Sequence, residues 1–221
     1  MAPRGRPRSF DRDAALRSAM NVFWRRGYDG ASLEELLRAM GGITPPSFYA
    51  AFGSKEDLFL EVIELYQRTA STEPLEALNN TSPVRDAVHG MLRATVDAFD
   101  NAPGGRGCLL VLAAPTLTRT NASVHERLRG IRCQLPEMLE KRLKRGIAEG
   151  ELPARLRVDD IAAFYTTVIH GLAVRARDGE TRRAMLAVAD GAMAAWDGLV
   201  SRGTRRRVAA RARPRPTARR R

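Results

Sequence analysis

TPPSFYAAFGSKEDLF, residues Thr44–Phe59, joins two prolines, four aromatics and a Ser-Lys pair in sixteen residues. The double proline reads as a helix start. Thr44 is a natural N-cap, and Pro45 at the first helical position has no N–H to lose and a φ already set for the helix. Pro46 also falls in the first turn, where backbone donors have no intrahelical partner. Phe48 and Phe52 stand four apart and belong on one buried face. Tyr49 lies beside them with its hydroxyl free. Ser54 and Lys55 open the next helix, whose N-terminal N–H groups and dipole suit a phosphate, with Lys55 adding charge.

Working outward, apolar residues recur at helical spacing and no alternating strand pattern or repeat appears. Upstream, Asp11 caps a first helix with Leu16, Ala19, Met20 and Phe23 on one face, ending at Gly27. Ser32 with Glu35 forms the sequence signature of a capping box before Leu33, Leu36, Leu37 and Met40, and Gly41–Gly42 stop that helix. Downstream, a fourth helix from Ser54 keeps Leu58, Phe59, Val62, Ile63 and Tyr66 on one side, and Asn79–Pro83 is turn chemistry. A fifth helix carries Val84 to Phe99, a short apolar sixth spans Cys108–Leu117, and a long seventh runs Val124–Ile147 across Pro136, a kink candidate. The eighth holds Ile161 to Leu172 and the ninth Met185 to Leu199. The expected fold is all-α with about nine helices: a basic arm (1–9), a three-helix helix-turn-helix domain (10–56), a larger helical bundle (57–200) and an Arg-rich tail (201–221), disordered without a partner.

The chain has 221 residues, 44% of them hydrophobic, and a net charge of +12. The charge is uneven. Residues 1–8 hold three Arg, residues 201–221 hold ten Arg and no acid, and the body between is net −1. A near-neutral body with cationic arms suits an anionic polymer. No apolar run approaches a membrane span, and the basic N-terminus lacks the apolar segment of a secretory signal. Cys108 and Cys133 then read as free thiols in a reducing, cytoplasmic and nucleoid-associated setting. No GxSxG, HExxH, P-loop or paired Glu/His pattern is present, so neither an enzyme nor a cofactor is expected.

Helices two and three, joined by Gly41–Ile43 and braced by helix one, have helix-turn-helix spacing. More specifically, Ala14–Leu60 resembles the DNA-binding domain of the TetR (AcrR-type) family of bacterial transcriptional regulators. Ala19, Phe23, Gly27, Tyr28, Ser32, Leu33, Leu36, Gly42 and Ile43 carry the resemblance, together with Phe48, Tyr49, Phe52, Ser54, Lys55, Leu58 and Phe59. It implies a regulator, most simply a repressor released by a small-molecule effector, that binds a palindromic double-stranded operator as a homodimer. The DNA-facing candidates are Ser32, Thr44, Pro45, Ser47, Tyr49, Ala50 and Lys55. Pro45, Pro46, Ala50 and Ala51 depart from the commoner family pattern, which often places charged or polar residues there. Pro45 and Ala50 can touch a thymine methyl and Ser47 a base edge or phosphate, but none makes a bidentate base pairing. Arg4 and Arg6, in PRGRPR (Pro3–Arg8), resemble an AT-hook core that enters a narrow minor groove.

The same resemblance implies a ligand pocket within helices five to eight and a dimer interface on the last two. Pocket candidates are Met91, Phe99, Cys108, Leu112, Met138, Phe164 and Tyr165. Interface candidates are Ile169, Leu172, Leu186, Met193 and Trp196, with His170 nearby. Two other readings stand beside this one. The Arg-rich tails suit a non-sensing architectural DNA-binding protein, and Cys108 after a Gly-rich loop suits a thiol- or metal-responsive regulator, although His89, His125 and His170 show no metal-ligand spacing with either Cys and no metal site is expected.

Overall fold

The computed structural model describes residues 10–70, 72–102, 107–113 and 122–202. Expectations for the N-terminal arm with Arg4 and Arg6, and for the Arg-rich tail, lie outside the described residues. Among the described residues ten helices follow one another: α1 (Arg12–Gly30), α2 (Leu33–Ala39), α3 (Pro45–Phe52), α4 (Lys55–Ala70), α5 (Thr72–Asn79), α6 (Val84–Asp100), α7 (Leu109–Leu112), α8 (Ala122–Ala148), α9 (Val158–Arg177) and α10 (Arg182–Ala194). Among the described residues there is no strand.

Helix starts follow side-chain chemistry. The Asp11 carboxylate accepts the N–H groups of Asp13 and Ala14 at 2.9 and 3.0 Å. Ser32 Oγ accepts the Glu35 N–H at 3.1 Å. The Glu35 carboxylate turns instead to Arg26 Nε, 3.3 Å away. Gly27 breaks α1 with a φ of 72°, which only glycine adopts without strain, and the last turn to Gly30 runs off at a new angle.

One helix more is present than the periodicity predicts. Helix α5 is eight residues long and buries only Leu78 fully, so it leaves almost no apolar stripe to read. Pro74 falls in its first turn, where a missing N–H is harmless. Helix α8 continues through Pro136. The described part of the short apolar helix ends at Leu112, and residues 114–117 of that expectation lie outside the described residues.

Two apolar clusters form the interior. The first is aromatic, with Phe23 edge-on to Phe59 at 4.9 Å and Tyr28 beside both. It joins α1–α4 to Leu109 of α7 and to Val124, Leu128 and Ile131 of α8. The second joins α5, α6, the later half of α8, α9 and α10. Helix α4 thus packs its whole apolar side with the N-terminal helices, while its later turns reach the larger bundle.

Candidate DNA interface and ligand cavity

Helix α3 is held by its buried face and presents the other. Phe48 and Phe52 are buried, and the Phe52 ring packs on Phe10 at 6.3 Å and beneath the Arg12 guanidinium at 4.6 Å. Arg12 in turn pairs with Glu61 of α4 at 2.7 Å. These contacts fix α3 against α1 and α4. On the outer face Pro45, Pro46, Tyr49 and Ala50 are exposed and Ser47 is half-buried. Tyr49 is 53% exposed, one of three large apolar side chains so exposed among the described residues.

The polar groups of this face are arranged by the helix start. Thr44 Oγ1 accepts the Ser47 N–H at 3.4 Å and donates to Ser47 Oγ at 3.0 Å. The Ser47 hydroxyl proton is then available to an outside acceptor. Ser54 caps α4, accepting the Asp57 N–H at 3.0 Å and donating to the Asp57 carboxylate at 2.7 Å. Lys55 sits over the Tyr28 ring, 4.6 Å from its centroid, and burial lowers its pKa. The residue read as a phosphate contact is thus also a clamp on the last turn of α1, beyond the Gly27 break.

A half-open cavity of about 210 Å³ lies between α4, α5, α6, α7, α8 and α9. Of the sequence-derived candidates, Met91, Phe99, Cys108 and Met138 line it. Leu112, Phe164 and Tyr165 do not. Tyr165 is buried elsewhere in the second cluster, with its hydroxyl donating to the Ala192 carbonyl at 3.2 Å and its ring against Trp196. Phe164 packs in that cluster too, and Leu112 is half-buried on α7. Tyr66, Gln67, Thr95, Gln134 and Ile169 also form the wall. Sequence reading had Tyr66 on the apolar stripe of its helix without a ligand role; the signal available was that this stripe runs a full turn beyond the DNA-binding helices.

Tyr66 is the hinge of this wall. Its ring meets Trp24 of α1 edge-on at 5.0 Å, and its hydroxyl donates to Cys108 Sγ at 3.2 Å. Burial and the neighbouring sulfur hold its pKa well above the ordinary tyrosine value, so the phenol is neutral. Burial likewise raises the Cys108 thiol, outweighing the Tyr66 hydroxyl, nearby backbone N–H groups and Arg132, which lower it. A protonated thiol is a poor nucleophile and a poor metal ligand. Among the described residues no group of three or more His, Cys, Asp or Glu could hold a metal ion.

The interface candidates turn inward. Ile169, Leu172, Met193 and Trp196 are buried within the protomer, Ile169 in the cavity wall, and only Leu186 is half-exposed. The exposed sides of these helices carry small residues instead: Ala163, Thr167, Gly171 and Val174 on α9, and Ala187, Val188, Gly191 and Ala194 on α10. Val174 and Val188, 46% and 47% exposed, are the other two exposed large hydrophobics. Sequence periodicity alone could not tell the two apolar sides of α10 apart. His170 is half-buried, and burial followed by Arg132 lowers its pKa.

Residues 15–62 match the family model for bacterial regulatory proteins of the tetR family, and residues 80–202 match that for the tetracyclin repressor-like C-terminal domain. The chain belongs to the TetR family. It is 31% identical over 198 residues to the HTH-type transcriptional repressor ComR of Escherichia coli K12, spanning 89% of this chain and 94% of ComR. It is 29% identical to the repressor BdcR of the same organism over 84% of this chain and 88% of BdcR. A solved structure of a cysteine variant of the TetR family regulator CifR, complexed with 26-base-pair operator DNA, superposes with a TM-score of 0.82. The two share 45% identity, covering 86% of this chain and all of that one. This TetR-family chain is a DNA-binding transcriptional regulator, with α2 and α3 as its helix-turn-helix. The family consists of regulators rather than enzymes.

Proposed function

We propose that this regulator is a repressor that occupies a palindromic operator as a homodimer and leaves it when a small molecule fills the cavity. One observation carries this reading: α4 begins directly after the recognition helix and ends in the cavity wall. Its first turn carries Lys55, and its later turns carry Tyr66 and Gln67. A ligand that favours one position of α4 biases the pose of α3, which is all that coupling between the two sites requires.

On DNA, Tyr49 and the Ser47 hydroxyl meet phosphates or base edges, Thr44 and Lys55 support them, and Pro45 and Ala50 lie against the groove floor. Ser32 acts mainly through its cap. Because α3 offers no bidentate base reader, Arg4 and Arg6 supply A·T preference from the minor groove. The small-residue faces of α9 and α10 pair with those of a second copy, where close approach needs short side chains. No helix among the described residues is long and apolar enough to cross a membrane, and the protein acts on the nucleoid in the cytoplasm.

Selection of duplexes from a random library tests the reading. The expected product is one two-fold symmetric site with half-sites about 34–36 Å apart, losing its flanking A·T preference when residues 1–8 are removed. Enrichment without symmetry or sequence would favour the architectural alternative, whose binding is set by salt rather than by site.

A further inference from the structure

The cavity's wall has a chemistry that selects a class of ligand. We infer that it takes a compact, uncharged molecule with an apolar body and one oxygen acceptor, and that the Tyr66 hydroxyl reads this acceptor. The inference rests on the cavity being the effector site.

Size comes first. A cavity of about 150 Å³ accepts benzene, so 210 Å³ holds a ligand of about eight or nine non-hydrogen atoms by the same scale. Charge is excluded next. Among the described residues, the wall contains no Asp, Glu, Lys, Arg or His. An ion placed there would lose its hydration without a partner, at a cost no small ligand recovers. Arg132, whose charge reaches Cys108, lies outside the lining and gives an N–H to the Leu110 carbonyl at 3.4 Å.

The polar groups then define the acceptor. The Thr95 hydroxyl donates to the Met91 carbonyl at 2.8 Å and is spent. Gln67 donates to Gln134 at 3.3 Å on the exposed rim, outside the apolar depth. The Tyr66 O–H is the one deep donor held by a weak acceptor, the Cys108 sulfur. A ligand carbonyl or ether oxygen is a better acceptor than sulfur, so the O–H turns to it with no polar group left bare. The phenol stays neutral and therefore remains a donor throughout.

Three probes of one size and shape separate these claims: acetophenone, its hydrocarbon isostere α-methylstyrene and its ionised isostere benzoate. Binding to the full-length free protein is read by calorimetry and thermal shift, and operator release by gel shift. The ketone is expected to bind best, the hydrocarbon about three- to tenfold more weakly, and benzoate not at all. Tyr66→Phe should erase the ketone's advantage and leave hydrocarbon binding intact; unchanged hydrocarbon affinity also shows that the variant is folded. Binding of benzoate as tight as the ketone, a ketone advantage that survives Tyr66→Phe, or binding by none of the three overturns the inference. Binding in the expected order without operator release leaves the ligand class standing and overturns the effector reading instead.

Discussion

Thr44 and Ser47 show how little side chain is needed to build a DNA-facing surface. The Thr44 hydroxyl donates to Ser47 and accepts one first-turn N–H, and prolines occupy positions where a donor would be idle. The cap was legible in the sequence because Thr-Pro-Pro has few other uses. Replacing Thr44 by Ala removes the cap acceptor, with an expected loss of about 1 kcal/mol in denaturant unfolding. Operator affinity should fall with it, because α3 frays at the end that enters the groove. Stability unchanged by Thr44→Ala would mean that Pro45 and Pro46 fix the helix start by themselves. Lys55 was only half legible. Its place after Ser54 signalled a phosphate contact, but its stacking on Tyr28 depends on where Gly27 sends the chain.

At the scale of elements, one polar contact ties the end of α9 to α1, and one close approach seats the segment before α7 on α9. Arg177, at the end of α9, donates to the carbonyls of Trp24 and Arg25 in the last regular turn of α1, capping groups that the Gly27 break leaves open. Gly107 lets the segment before α7 lie on α9. Its φ is 91°, and a Cβ there would run into the Ala173 carbonyl oxygen. Gly107→Ala is expected to cost about 1–3 kcal/mol in unfolding free energy and to shift Cys108 away from Tyr66, weakening ligand binding. Wild-type stability in this variant would show that the close approach is not required. Neither contact was legible in the sequence, because each joins residues far apart in the chain. Helix existence was legible from period and caps, except for α5, where one fully buried residue in eight leaves no period to see.

At the scale of the molecule, the three exposed large hydrophobics among the described residues fall on the two surfaces that the proposed function assigns to DNA and to a second copy, Tyr49 on α3 and Val174 with Val188 on α9 and α10. The sequence pointed to the last two helices as an interface but not to one side of them. Ile169, Met193 and Trp196 have the bulk expected of an interface, yet that bulk fills the protomer's own interior, and the outward side is left to Ala and Gly. Val188→Asp places a charge on that side without touching the core. It should yield a folded monomer by light scattering, with operator binding reduced by tenfold or more on the order expected when two half-sites no longer act together. A dimer of unchanged stability would move the interface elsewhere.

The central claim is that the outer face of α3 binds the operator. Its most direct test is the affinity of full-length Tyr49→Ala for the selected operator and for a scrambled duplex, at one fixed salt concentration. Tyr49 is half in solvent, so melting should be unchanged. The account predicts at least a tenfold loss on the operator, about 1.4 kcal/mol, and a smaller loss on the scrambled duplex, where only phosphate contacts remain. Operator affinity equal to wild type, in a protein of equal stability, would contradict it.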